Sequence, residues 1–131
     1  MYSEKVREFT KACCDGDVPE KPILLSEEKV SFIKNMVNDE MQELAEAGNI
    51  TEQTDALVDA IYYICDTAAR HGMNLDPLFE IVHRANMQKV VDGKVIRRQD
   101  GKIMKPDTWQ DPEPLLLEET ARQEREGSFN G

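Results

Sequence analysis

The sequence predicts an all-α protein, on three observations. Val30, Ile33, Val37, Glu40 and Leu44 recur at spacings of three and four, apolar but for Glu40, and the apolar pattern resumes through Leu57, Val58, Ile61, Ile64, Cys65 and Ala68, the stripes of two amphipathic helices. Only Ala47-Gly48-Asn49 interrupts them, with Gly48 as terminator and Asn49 or Thr51 as cap. So short a link makes the two helices antiparallel neighbours, an αα-hairpin. The third observation is Asp76-Pro77, a capping side chain followed by the residue best tolerated at a helix start.

In chain order, a first short helix runs from about Ser3 to Cys14 with Val6, Phe9, Ala12 and Cys13 as its apolar side, and Asp15-Gly16-Asp17 ends it. A loop through Pro19 and Pro22 leads to Ser26, the N-cap of the second helix, with Glu27 and Glu28 suited to its dipole. The third helix spans about Glu52 to Arg70, with Gly72 as its stop. On the fourth, the stripe Leu75, Phe79, Val82, Asn86 places an amide where the period calls for an apolar group. Beyond Val91, Asp92-Gly93, Lys94-Val95-Ile96-Arg97-Arg98, Asp100-Gly101 and Lys102-Ile103-Met104 read as a small basic hairpin or ordered loop. The tail opens with Leu115-Leu116-Leu117, becomes rich in Glu, Arg and Gln, and is expected to be a short docking helix that frays from Ser128 to Gly131. The domain is thus residues 1–114, with 115–131 as a tail.

Charge, rather than apolar pattern, singles out the hairpin. Between Lys34 and Arg70 lie Asp39, Glu40, Glu43, Glu46, Glu52, Asp55, Asp59 and Asp66, with no lysine or arginine among them. Glu40 sits in the apolar stripe of the second helix, and Glu43 follows one turn on. With a rise of roughly 1.5 Å per residue from the turn, Glu43 and Asp55 fall at about the same height, bracketed by Glu40 and Glu52. Carboxylates meeting between helices repel unless protonated or bound to a cation. Oxygen-only ligands select a hard ion, so Glu40, Glu43, Glu52 and Asp55 are the candidate ligands of Mg²⁺ or Mn²⁺. Glu52 has a second possible role, as the third residue of a capping box begun by Asn49, and the acids as a set could also be a solvated face.

Asp39-Glu40-Met41-Gln42-Glu43-Leu44 followed by Glu52-Gln53-Thr54-Asp55 resembles the paired E-x-x-E and E-x-x-D motifs of the MazG-like all-α nucleoside triphosphate pyrophosphohydrolases. The likeness continues through Asp55 to Tyr63, Val82 to Lys89 and Asp100 to Pro106, roughly residues 5 to 112. Only the eight residues Leu44 to Thr51 separate the two motifs, which is similar to the compact phosphoribosyl-ATP pyrophosphohydrolase-like subgroup, while Asp39 departs from the family's pattern in standing where glutamate is more usual. The resemblance implies a helical bundle in which four acids hold Mg²⁺ while the α-β phosphoanhydride is cleaved to a nucleoside monophosphate and pyrophosphate. On that reading Asp39 orients or deprotonates the attacking water, and Asn86, Lys89, Lys102, Lys105 and Trp109 position substrate. The alternatives are true phosphoribosyl-ATP hydrolysis and a non-catalytic helical nucleotide-binding or scaffold protein.

The basic segment from Arg84 to Lys105 holds seven basic residues against Asp92 and Asp100, a counterweight that suits phosphate oxygens or, equally, an acidic face of a neighbouring subunit. Trp109 is open to stacking on a base or to pinning this loop. Tyr62 is open to core packing or ligand contact, and His71 and His83 read as structural or surface residues. A net charge of -10 argues against a nucleic-acid polymer or an anionic membrane as partner. Cys13, Cys14 and Cys65 lack zinc-ligand spacing and suit reduced thiols in the cytoplasm, and no apolar run approaches a membrane span. At 131 residues the chain is one domain with little depth for a closed site, so a homodimer or homotetramer is expected to supply missing walls.

Overall fold

The computed structural model describes residues 1–129. Five helices follow one another: α1 (Tyr2–Cys13), α2 (Glu27–Glu46), α3 (Ile50–Arg70), α4 (Leu75–Met87) and α5 (Glu113–Glu126). The expected hairpin is α2 with α3, and α3 is the central element, packed on α2 and on α1, while α4 packs on α1 and α5. Small residues make the approach possible: Ala56, Ala60, Cys65, Ala68 and Ala69 are the buried positions of α3.

Helix starts are set by side chains. Ser26 Oγ accepts from the Lys29 N–H at 3.2 Å, as expected. Asn49 Oδ1 accepts from the Glu52 N–H at 2.9 Å, so α3 begins at Ile50, one half-turn before the expected Glu52. The fourth helix differs more. Its cap is Asn74, which accepts from the Asp76 N–H at 3.1 Å, and Asp76 is spent on another helix. The Asp76 carboxylate accepts from the N–H groups of Ser3 (2.9 Å) and Glu4 (3.2 Å), while Ser3 Oγ accepts from the Leu75 N–H at 3.1 Å. Each helix start therefore satisfies orphan donors of the other. A pattern search sees only local caps, and this exchange spans more than seventy positions.

The α3 to α4 turn depends on Gly72. Its φ of +67° is left-handed, and a Cβ there would lie 2.2 Å from the Lys21 carbonyl oxygen. Around this turn the chain closes through polar side chains. Gln123 of α5, fully buried, donates Nε2 to the Asn74 carbonyl (2.9 Å) and accepts from the Asn74 N–H (3.1 Å). Ser128 donates its hydroxyl to the Gly72 carbonyl and its N–H to the Glu20 carbonyl, and its own carbonyl accepts from Asn74 Nδ2. Fraying therefore does not begin at Ser128, which is buried because it satisfies three backbone or amide groups at once. Asn130 and Gly131 lie outside the described residues.

Of the two forms expected for the basic segment, the structure has the ordered loop: between Val91 and Met104 the described residues hold no strand, only isolated bridges of Val91 with Lys94 and Arg97 with Ile103. The expected apolar side of α1 is revised. On α1 the buried residues are Ser3, Val6 and Thr10, whereas Phe9 is 55% exposed; Thr10 Oγ1 lies 2.6 Å from Asp66 Oδ1, which turns that face onto α3.

Among the described residues the buried apolar set is Val6, Val18, Cys65 and five alanines. Larger apolar side chains remain open to solvent, including Phe32 (51%), Val58 (57%), Ile61 (46%) and Phe79 (67%). Apolar surface is thus left open to solvent on α2, α3 and α4.

Candidate active site

Glu40 is the one buried residue of α2, and its Oε2 has no hydrogen-bond partner. A helix stripe that packs α2 on α3 carries this acid inward, as its place in the apolar period foretold. Burial first, then the Glu43 carboxylate alongside, then Asp59 and Asp55, push its acid from an ordinary 4.5 up to about 7. Asp59 is also pushed up, by burial and then by Asp55 and Glu43. Four carboxylates, Glu40, Glu43, Asp55 and Asp59, thus share one electrostatic site between α2 and α3.

Glu52 is not among them. Its Oε2 accepts from the Gly48 N–H at 2.9 Å while its own N–H is held by Asn49, so it closes the hairpin as a capping residue. Asp59 stands in the group in its place. The signal was available: Asp55 and Asp59 are one turn apart, so they share a face, and Glu52 lies at the helix start where a free backbone N–H competes for it. Asp39 is exposed, on the position before Glu40 but outside the buried face.

Beside the carboxylates lies a cavity of about 310 Å³ lined by Phe9, Glu40, Asp59, Tyr62, Tyr63, Asp66 and Arg70. Tyr62 packs edge-on against Phe9 with ring centroids 5.9 Å apart, so it is part of the cavity wall and 40% exposed. His71 serves the backbone, its Nδ1 donating to the Thr67 carbonyl at 2.7 Å.

The expected substrate contacts gather elsewhere. Lys89 Nζ donates to Asn86 Oδ1 (3.2 Å), and Lys105 and Lys89 lie 4.2 and 5.7 Å from the centroid of Trp109. Trp109 itself donates Nε1 to the Ala85 carbonyl at 2.8 Å, which pins the loop to α4. Asn86 is exposed and not buried, so the amide is met by Lys89 and not by a core partner. Lys102 is held through its backbone N–H by Asp100, apart from this cluster. None of the five lines the cavity beside the carboxylates.

An all-oxygen, uncompensated donor set with an orphaned buried carboxylate oxygen fits a hard divalent cation. Among the described residues no three His, Cys, Asp or Glu side chains stand close enough to enclose an ion by themselves. An ion of the Mg²⁺ type takes one or two carboxylates and completes its shell with water and phosphate oxygens.

A family model described as phosphoribosyl-ATP pyrophosphohydrolase matches residues 6–86. The matched stretch contains all four carboxylates and the cavity wall, has Asn86 as its last residue and stops before Lys89. No match was found among curated proteins.

Proposed function

The chain belongs to the phosphoribosyl-ATP pyrophosphohydrolase family, a MazG-like all-α family of pyrophosphohydrolases, and from that premise we propose that its substrate is phosphoribosyl-ATP, hydrolysed to phosphoribosyl-AMP and pyrophosphate. The family description favours this substrate over the free nucleoside triphosphates that the motif reading put first. The observation that carries the reading is the grouping of Glu40, Glu43, Asp55 and Asp59 with no base to neutralise them.

Mg²⁺, or Mn²⁺ in its place, is proposed to sit among those four carboxylates, held directly by one or two of them and by the others through water. When bound, the ion polarises the α-phosphate and stabilises the leaving pyrophosphate. Glu40, buried and partnerless at Oε2, gives up its proton as positive charge enters the site. Asp39, on the exposed side of the same helix turn, is the proposed acceptor for the proton of the attacking water. Phe9, Tyr62 and Tyr63 would hold the base and exclude water from one side of the cavity.

A second copy belongs to the same proposal. Phe32, Val58 and Ile61 leave an apolar face on the α2–α3 hairpin, and a homodimer or homotetramer built on it would cover that face. It would also allow the partner's basic loop, with the equivalents of Lys89, Lys102, Lys105 and Trp109, to approach phosphates that the chain's own loop does not reach. Among the described residues no helix is long and apolar enough to cross a membrane, and Cys13, Cys14 and Cys65 are free thiols, as a cytoplasmic enzyme would keep them.

The test is pyrophosphate release from phosphoribosyl-ATP and from a panel of nucleoside triphosphates, with Mg²⁺ or Mn²⁺, for the wild type, Glu43→Gln and Asp55→Asn. Metal-dependent release that both substitutions abolish in folded protein supports the reading. Release that survives both substitutions overturns the site.

A further inference from the structure

Asp59, Tyr62, Tyr63, Asp66 and Arg70 all line the cavity beside the carboxylates, and all belong to α3, where their spacing keeps them on one face. Of the described side chains that line this cavity, Arg70 is the one cation. Its backbone lies eleven residues beyond Asp59, roughly 16 Å along the axis, yet its side chain turns back. Helical side chains lean towards the N-terminus of their own helix, and Arg70 Nε donates to Asp66 Oδ2, one turn earlier, at 2.9 Å. The guanidinium therefore stands beside Asp66, roughly 10 Å along the axis from Asp59.

The guanidinium is held but not used up. Of its N–H donors, the one at Nε goes to Asp66 and one at Nη1 goes to Cys14 Sγ, 3.4 Å away. Nη2 and the second N–H of Nη1 have no partner among the described residues. Asp66 is fixed in turn, since its Oδ1 accepts from the Thr10 hydroxyl at 2.6 Å. With both its oxygens engaged, Asp66 orients Arg70 and stands apart from the group of four acids. The Arg70 side chain is nearly half exposed, so it is a cation fixed at two points with its remaining donors free.

We infer that Arg70 is a phosphate-binding residue of the reaction, which contacts the leaving pyrophosphate from the Asp66 end of the cavity. The inference rests on the pyrophosphohydrolase reading. When water attacks the α-phosphorus, the electron pair of the α-β P–O bond leaves with the bridging oxygen on the pyrophosphate, and the water's proton goes to the acceptor proposed above. The pyrophosphate thus gains negative charge as the bond breaks, and a cation oriented beforehand stabilises that charge without rearrangement. The basic loop does not line this cavity, so within one chain the part falls to Arg70.

The experiment titrates inorganic pyrophosphate and AMP calorimetrically, each with Mg²⁺, against the wild type, Arg70→Gln and Arg70→Lys. Glutamine keeps a donor for Asp66 while removing the charge, and Arg70 is exposed, so the fold should persist, which circular dichroism checks. Arg70→Gln should weaken pyrophosphate binding at least about tenfold, the worth of a charge-assisted contact. Arg70→Lys should recover part of that loss, because the charge remains and the planar fork does not. AMP affinity should stay unchanged in both. A guanidinium that only ties α1 to α3 would behave otherwise. Pyrophosphate affinity equal in the wild type and Arg70→Gln, absent from both, or weakened in step with that for AMP overturns the assignment. Pyrophosphate release is assayed in parallel: a wild type that releases pyrophosphate while one of those results holds overturns the role of Arg70 alone, whereas a wild type that neither releases nor binds it overturns the catalytic reading and this inference with it.

Discussion

Glu52 turns its carboxylate onto the Gly48 N–H, 2.9 Å away, and by doing so leaves the place beside Asp55 to Asp59. The two acids make opposite predictions. Removing the Glu52 carboxylate as Glu52→Ala should cost about 1 kcal/mol of stability, as a lost cap does, and leave most of kcat. Asp59→Asn should lower kcat/KM by a factor of about 100 or more, the scale of losing a group that acts on developing charge, while the protein stays folded. Thermal denaturation and steady-state kinetics on the two variants read this directly.

Stability should fall as pH rises through the acid range above 4.5. Glu40 holds its proton in the folded chain up to about pH 7, while the unfolded chain releases it near 4.5. Between those limits the unfolded state binds fewer protons, so unfolding becomes easier with rising pH. Asp59, raised by burial, adds to the same trend. Glu119 and Asp100, held low by hydrogen bonds from Arg122 and Arg98, act with the opposite sign and at lower pH. The melting temperature of cation-free protein should therefore drop between pH 5 and pH 8, Mg²⁺ should reduce the drop, and Glu40→Gln should largely remove it.

Gly72→Ala should be among the most damaging small substitutions in the chain. The added Cβ would meet the Lys21 backbone at 2.2 Å in a left-handed conformation, so no side-chain shift relieves it. A loss of about 2 kcal/mol or more is expected, read by urea denaturation. Gly48→Ala, with nothing within 4 Å, serves as the control.

Val58→Asp should change assembly before it changes folding. Val58 is more than half exposed, so the charge costs the single chain little, but it would be buried in any copy-to-copy contact across α3. Light scattering coupled to size exclusion should give the mass of the single chain for the variant and a multiple for the wild type, with pyrophosphate release falling in parallel. A wild type of single-chain mass would remove the proposed role of the second copy.

Lys105→Ala and Trp109→Ala should separate. Lys105 rests over the indole, and its proposed role is a phosphate contact alone, so its loss should raise KM severalfold. Trp109 also holds the loop through the Ala85 carbonyl, so its loss should in addition free the segment from Val91 to Met104, seen as faster amide exchange there.

Much of this protein was legible in order along the chain. The two stripes and the Ala47-Gly48-Asn49 break specify an antiparallel hairpin, because helical period and turn chemistry are local properties. Glu40 was legible for the same reason, as an acid in an apolar register. What the tertiary structure decided are the choices between groups of equal local fitness. Asn49 and Gly48 draw Glu52 into the cap, whereas Asp59, one turn from Asp55, has no backbone donor to claim it. Asp76 serves α1 because Ser3 arrives beside it, and Ser128 is buried because Gly72, Glu20 and Asn74 leave polar groups there to be met. Local sequence determines which helices form and what chemistry they carry; which polar group finds which partner is determined only when distant segments meet, since each bond is made at the expense of another.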